Sequence, residues 1–171
     1  NRLSFVQTDD FPLPEPRDID GDGVTDFFSN NILPSYDALS PEKRKYTASV
    51  SHYSLSRGFE GTRQLLLDTG RNFVLYYPSL WENRIAALSV SSDRVLFIAS
   101  GGGEMDYLLE IVRADANLPP PNVFGDVGGD NYKFLADDTI RGKKYYYRRA
   151  KTADHFSLTD TEIVDNFRII K

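Results

Sequence analysis

The chain contains no cysteine. That excludes disulfides, thiolate metal sites and cysteine nucleophiles, and leaves the compartment open. Histidine is nearly as scarce: His52 and His155 are too few for a histidine-built metal centre, and structural or surface roles are expected for both. No GxSxG elbow, HExxH pair or phosphate-binding P-loop occurs, so the expectation is a protein that is not an enzyme. Cations are outnumbered. Lys and Arg total 20 against 25 Asp and Glu, a net charge of −5, whereas general nucleic-acid binding needs a basic surface to displace counterions. No apolar run nears the roughly 18 residues of a membrane-spanning helix, so no membrane span is expected. The sequence opens on Asn1 rather than methionine, which reads as a mature or trimmed chain.

What is present is a globular composition. The 171 residues are 40% hydrophobic and 13% aromatic, enough to bury the core of one domain, with or without an appendage. Two regions differ in texture. Residues 1–45 carry prolines at 12, 14, 16, 34 and 41; proline removes donors and fixes φ, so long regular elements are not expected there. "LSPEKRK" suits a short helix start, with Ser40 as cap and Pro41 in the first turn. The region is read as an extended arm. Residues 46–171 are read as an antiparallel β domain, a sandwich or a barrel.

Within 46–171 the strand-like segments follow one another: "YTASVSHYSL", "TRQLLLD", "NFVLYY", "RIAALSV", "RVLFIAS", "YLLEIV", "NYKFLA", "KKYYYRR" and "IVDNFRII". Each is rich in leucine, β-branched or aromatic residues. "DTGRN", "SSD" and "GGGEMD" separate neighbours as short turns, which favours antiparallel pairing. "EMDYLLEIVRADA" also has helical spacing, as an alternative to a strand. "NLPPPNVFGDVGGDN" reads as a long surface loop, either functional or a plain crossover.

One stretch carries chemistry. "DIDGDGVTD", residues 18–26, holds four aspartates and two glycines in nine residues. Two carboxylates about 5 Å apart repel by roughly 3 kcal/mol at an effective dielectric near 20, so a cation among them is expected. Calcium takes hard oxygen ligands from alternating positions of a tight loop. Asp18, Asp20 and Asp22 occupy the first three alternating places, Val24 offers a backbone carbonyl, and Asp26 follows, often acting through water. Gly23 stands where the chain turns sharply and Gly21 eases the turn. Ser29 replaces the bidentate glutamate of an EF-hand. The expected affinity is therefore weak, roughly 10⁻⁴ to 10⁻³ M, a range that calcium outside the cytosol fills. A secreted, cell-surface or periplasmic location follows as an expectation. The ion would be structural, since no acid or base beside the loop equips it for catalysis.

The stretch resembles the DxDGDGxxD calcium loops of thrombospondin type 3 repeats, dockerins and FG-GAP repeats, here in one copy. In the FG-GAP form such a loop joins two strands and needs no helix afterwards. A second resemblance runs over residues 46–135. "RGFEGTRQLLLDTG" followed by "ENRIAALSV" is similar to a βγ-crystallin Greek-key motif, with Phe59 and Gly61 at the corner and Glu82-Asn83 as the acidic pair. Tyr53 stands one residue too far from Phe59 for that pattern. Ala86-Ala87 replace its serines, so the resemblance implies that the family's own calcium site is lost. The end, "TEIVDNFRIIK", is similar to the closing strand of jelly-roll carbohydrate-binding modules.

These readings converge on a secreted, calcium-stabilised β-domain acting as a binding or assembly module, such as a surface, matrix or filament protein. The alternative is a carbohydrate-binding module of jelly-roll type, in which aromatic rings stack on sugars. Trp81 is then the candidate ligand-binding residue, against the plainer reading of a core side chain. The third reading is a glycan-acting enzyme, whose carboxylates need no fixed spacing in sequence. Calcium is the expected cofactor. A glycan, another protein subunit or a second copy of the chain are the possible partners, and "NRLSFVQ" is a segment able to add itself as a strand to a neighbour. "GKKYYYRR" has the aromatic and cationic residues of a single-strand nucleic-acid groove. It reads better as an edge strand whose cations discourage pairing.

Overall fold

The computed structural model describes residues 15–19, 23–32, 46–99, 107–119, 131–150 and 156–170. The fold is all-β and antiparallel, with ten strands and one short helix among the described residues. Contacts divide the chain into two units. One spans Asn1–Asn83 and Asn166–Lys171, the other Arg84–Asp165. Residues Asp26–Ile32 of the expected arm form a strand of the first sheet.

The first unit holds strands β1 (Asp26–Ile32), β2 (Tyr46–Ser54), β3 (Gly58–Asp68) and β4 (Phe73–Tyr76), and β10 (Phe167–Ile169) near the carboxyl end. They form an open five-stranded sheet in the order β1-β2-β3-β4-β10. Strand β1 was not expected from the sequence. It pairs along its whole length with β2, from Asp26 opposite His52 to Ile32 opposite Tyr46. One face of this sheet supplies Phe28, Ala48, Val50, Leu65, Leu67, Val74 and Tyr76, which with Ile19 and Ile170 make a buried core. The helix considered at Ser40–Pro41 lies outside the described residues.

The second unit holds β5 (Ile85–Ser91), β6 (Arg94–Ala99), β7 (Tyr107–Asp115), β8 (Lys133–Asp138) and β9 (Lys143–Arg149). Their order is β5-β6-β7-β9-β8. "YLLEIV" is strand, so the helical alternative for that segment is not realised. Most of the proline and glycine loop between β7 and β8 lies outside the described residues.

Two expectations are corrected. "KKYYYRR" is not an edge strand: β9 lies between β7 and β8, with Tyr145, Tyr146, Tyr147 and Arg148 all buried. Three of its four cations are paired with carboxylates instead, Lys143 with Asp115, Arg148 with Glu110 and Arg149 with Asp160. The segment "IVDNFRII" is not one strand either. Asp160–Asn166 forms helix α1, and only Phe167–Ile169 is strand. A capping box starts the helix. The Thr159 amide and hydroxyl both donate to Glu162 Oε2 at 2.8 Å, and the Glu162 amide donates back to Thr159 Oγ1 at 3.2 Å. These bonds hold the Glu162 carboxyl below its ordinary range. The fully buried Ile163 and an ion pair from Lys133 to Asp160 tie the helix to its unit.

One turn occurs twice. "DTGRN" joins β3 to β4 and "DTIRG" joins β8 to β9. Asp68 is opposite Phe73, and Asp138 opposite Lys143, so the two hairpins close in the same register. In each, the aspartate accepts from the backbone amide of the arginine three residues on, at 2.9 Å from Arg71 and 3.2 Å from Arg141. It also accepts from that arginine's Nη1, at 2.5 and 3.1 Å. The fifth residue is left-handed, Asn72 at φ 60° and Gly142 at φ 63°, a conformation that asparagine and glycine tolerate best.

Candidate functional site

The aspartate loop is built on a two-residue base. The Arg17 and Asp26 backbones form an isolated antiparallel bridge, with N–H to O distances of 3.2 and 3.1 Å. Within it, Ile19 turns into the core of the first unit, which leaves Asp18 on the solvent side. The Gly23 amide donates to Asp18 Oδ2 at 2.9 Å across five residues. Gly23 is at φ +87°, where a side chain is strained. The sharp turn expected of Gly23 is therefore present, and the Asp18 carboxylate already faces back across it.

Asp26 is the more enclosed of the loop's two described carboxylates, at 0% exposure. Its Oδ2 accepts the Ile19 amide at 2.9 Å, and its Oδ1 lies 3.2 Å from Nε2 of His52. A buried carboxylate is costly unless it is hydrogen-bonded, and the Ile19 amide supplies such a bond. It clamps the start of the loop to the start of β1. Val24 is exposed, which suits a position from which only the backbone carbonyl is asked. Asp20 and Asp22 lie outside the described residues, as does His155. Among the described residues, no group of three His, Asp or Glu side chains gathers as a metal site; the five-ligand set needs Asp20 and Asp22 to be complete. The donors that are described, the Asp18 and Asp26 carboxylates and the Val24 carbonyl, are oxygens, the donor class that a hard cation takes.

Trp81 does not supply a stacking surface. It is 0% exposed and packs edge-on against Tyr77 at 5.7 Å. An exposed aromatic cluster lies elsewhere in the first unit. Phe27 of β1, Tyr53 of β2 and Phe59 of β3 form a cluster with ring centroids 6.2, 5.3 and 5.2 Å apart, all edge-to-face. Tyr53 is 47% exposed and Phe59 63%. Register puts them together: Tyr53 is directly opposite Phe59, and Phe27 is opposite Ser51, two residues before Tyr53. Beside them the Ser51 and Thr62 hydroxyls touch at 3.0 Å. Of the residues behind the βγ-crystallin resemblance, Phe59 and Gly61 lie in β3, and Glu82-Asn83 in the turn before β5.

The second unit has a different cluster. Glu110, fully buried in β7, receives Arg94 Nε on one oxygen and Arg148 Nε on the other. The Arg148 guanidinium also lies over the rings of Tyr107 and Tyr132, at 5.1 and 5.2 Å. Burial, helped by the Glu110 charge, pushes the Tyr132 hydroxyl up to about 12. These groups are mutually engaged, which is the arrangement of a structural charge network. Comparison with protein-family models, curated proteins and solved structures returned no match to this chain.

Proposed function

We propose that the chain is a calcium-stabilised β-domain that works outside the cytosol as a binding or assembly module. The observation that carries this reading is the base of the aspartate loop. The Arg17–Asp26 bridge and the buried Asp26 carboxylate join "DIDGDGVTD" directly to β1, an edge of the first sheet. A cation held by Asp18, Asp20, Asp22, the Val24 carbonyl and Asp26 would offset the mutual repulsion of four carboxylates. Its binding free energy would then act on the register of β1 rather than on an isolated loop.

Bound at a hundredfold excess over its dissociation constant, such an ion adds about 2.7 kcal/mol. The test is a melting curve of the intact chain in millimolar Ca²⁺ and in EDTA, for wild type and for Asp20→Asn and Asp22→Asn. A higher melting temperature in Ca²⁺ that both variants lose is the expected result. A wild-type curve indifferent to the chelator ends the calcium reading.

The second reading, carbohydrate binding, is favoured by one observation: three aromatic rings share an exposed corner of the first sheet.

A further inference from the structure

We propose that Phe27, Tyr53 and Phe59 form a stacking platform for the sugar rings of a neutral glycan, with the Ser51 and Thr62 hydroxyls addressing its hydroxyl edge. The inference rests on the carbohydrate reading and gives it a site, in place of the buried Trp81.

Burying a large apolar side chain is favourable in proportion to the area removed from water. Tyr53 and Phe59 leave much of that unrealised, because their rings touch each other and Phe27 while remaining 47% and 63% exposed. Each edge-to-face contact sets the edge of one ring on a face of its neighbour, so what is left for a ligand is the exposed part of Tyr53 and Phe59.

Charge and area select the ligand class. Arg57, in the turn between β2 and β3, pairs with Glu60 of β3 at 3.1 Å. Among the described residues the platform thus shows no excess of cations of the kind that a nucleic acid or an anionic lipid surface requires. At 150–250 Å² per ring, the exposed parts of Tyr53 and Phe59 amount to roughly 200 Å². A stable protein interface takes about 800 Å² from each partner, so this patch is too small to be one by itself. It suits one or two pyranose rings. A sugar ring presents C–H groups on its faces and hydroxyls at its rim. Ser51 and Thr62 each bring a donor and two acceptor sites beside the rings, and spend one contact on each other.

The platform also adjoins the aspartate loop. Phe27 follows Asp26 directly, and alternation along β1 puts the Asp26 carboxylate on the other side of the strand. Whatever orders the loop orders the third ring.

The experiment is a depletion assay of the intact chain on microcrystalline cellulose, chitin, xylan and mannan, each in Ca²⁺ and in EDTA. Retention on at least one polymer is expected. Tyr53→Ala with Phe59→Ala should reduce it at least tenfold, Phe59→Tyr should keep it, and Ile140→Ser, an exposed apolar residue of the other unit, should leave it unchanged. Wild-type amide resonances, followed during titration with soluble oligosaccharides of the retaining polymer, should shift at Phe27, Tyr53 and Phe59; this holds even if the double variant does not fold. Absence of retention on all four polymers, retention indifferent to the double variant, or shifts located elsewhere overturn the proposal. A Ca²⁺-dependent melting temperature without retention sinks the platform alone. Retention with a melting temperature indifferent to EDTA sinks the calcium reading alone.

Discussion

The five-residue turn that occurs twice permits a paired perturbation with its own control. Asp68→Ala and Asp138→Ala each remove a buried carboxylate that accepts from a backbone amide and from a guanidinium. The arginines left behind differ. The Arg71 side chain is 6% exposed and that of Arg141 34%, so one guanidinium stays in a dry setting while the other reaches water. Taking one partner from a buried pair costs about 3–5 kcal/mol. Where the survivor is solvated, the loss shrinks to an amide hydrogen bond and a screened charge pair, about 1–2 kcal/mol. Asp68→Ala should therefore be the more damaging change by about 2 kcal/mol, the difference between those ranges. The asparagine versions keep an acceptor for the backbone amide but lose the charge and the second oxygen that accepts from the guanidinium. Urea unfolding reads both. Trp81 is the sole tryptophan and is buried in the first unit, so its fluorescence follows the Asp68 variants, and far-ultraviolet circular dichroism follows those at Asp138. Equal costs, or a larger cost at Asp138, would refute the idea that burial of the surviving arginine sets the penalty.

Two further outcomes are expected from the second unit. Glu110→Leu removes the charge shared by Arg94 and Arg148 and should cost about 3–5 kcal/mol in urea unfolding, with most of it regained when Arg148→Leu is added; no recovery would mean that the network is worth more than its charges. At the helix, Thr159→Ala should cost about 1 kcal/mol. The lowered Glu162 carboxyl contributes stability above its unfolded value of about 4.3, and that contribution is lost as the pH falls through the lower folded value. Glu162→Gln should flatten this part of an acid titration followed by circular dichroism, and an unchanged slope would refute the assignment.

How much was legible in the sequence depends on the reach of each interaction. Strands β2 to β9 announce themselves locally, through alternation and turn residues that act within ten positions. The aspartate loop is legible for the same reason, since charge spacing and glycine placement lie inside nine residues. Strand β1 is harder to see. "DFFSNNI" lies among prolines, and only its pairing with β2 makes it a strand. Helix α1 is a misreading of Ile163 and Val164 as β-branched strand residues, although the Thr159–Glu162 capping box offered a local signal. The edge assignment of "KKYYYRR" failed because the carboxylates that pair with its two arginines lie far away in sequence, Glu110 on β7 and Asp160 on α1. The aromatic corner has the same cause. Phe27 and Phe59 come from strands with β2 between them, and only register brings the rings into contact.

Strand β10 has a consequence for how the molecule comes into being. The first sheet takes four consecutive strands from the amino-terminal half of the chain and its last, beside β4, from residues 167–169. Everything between Arg84 and Asp165 belongs to the other unit, which is an uninterrupted segment able to form while the nascent polypeptide is still emerging. The earlier-made sheet must wait, with β4 as a bare border, until translation has passed its partner. The half of the protein born first is thus the half completed last, and that interval is when β4 is open to pairing with another molecule.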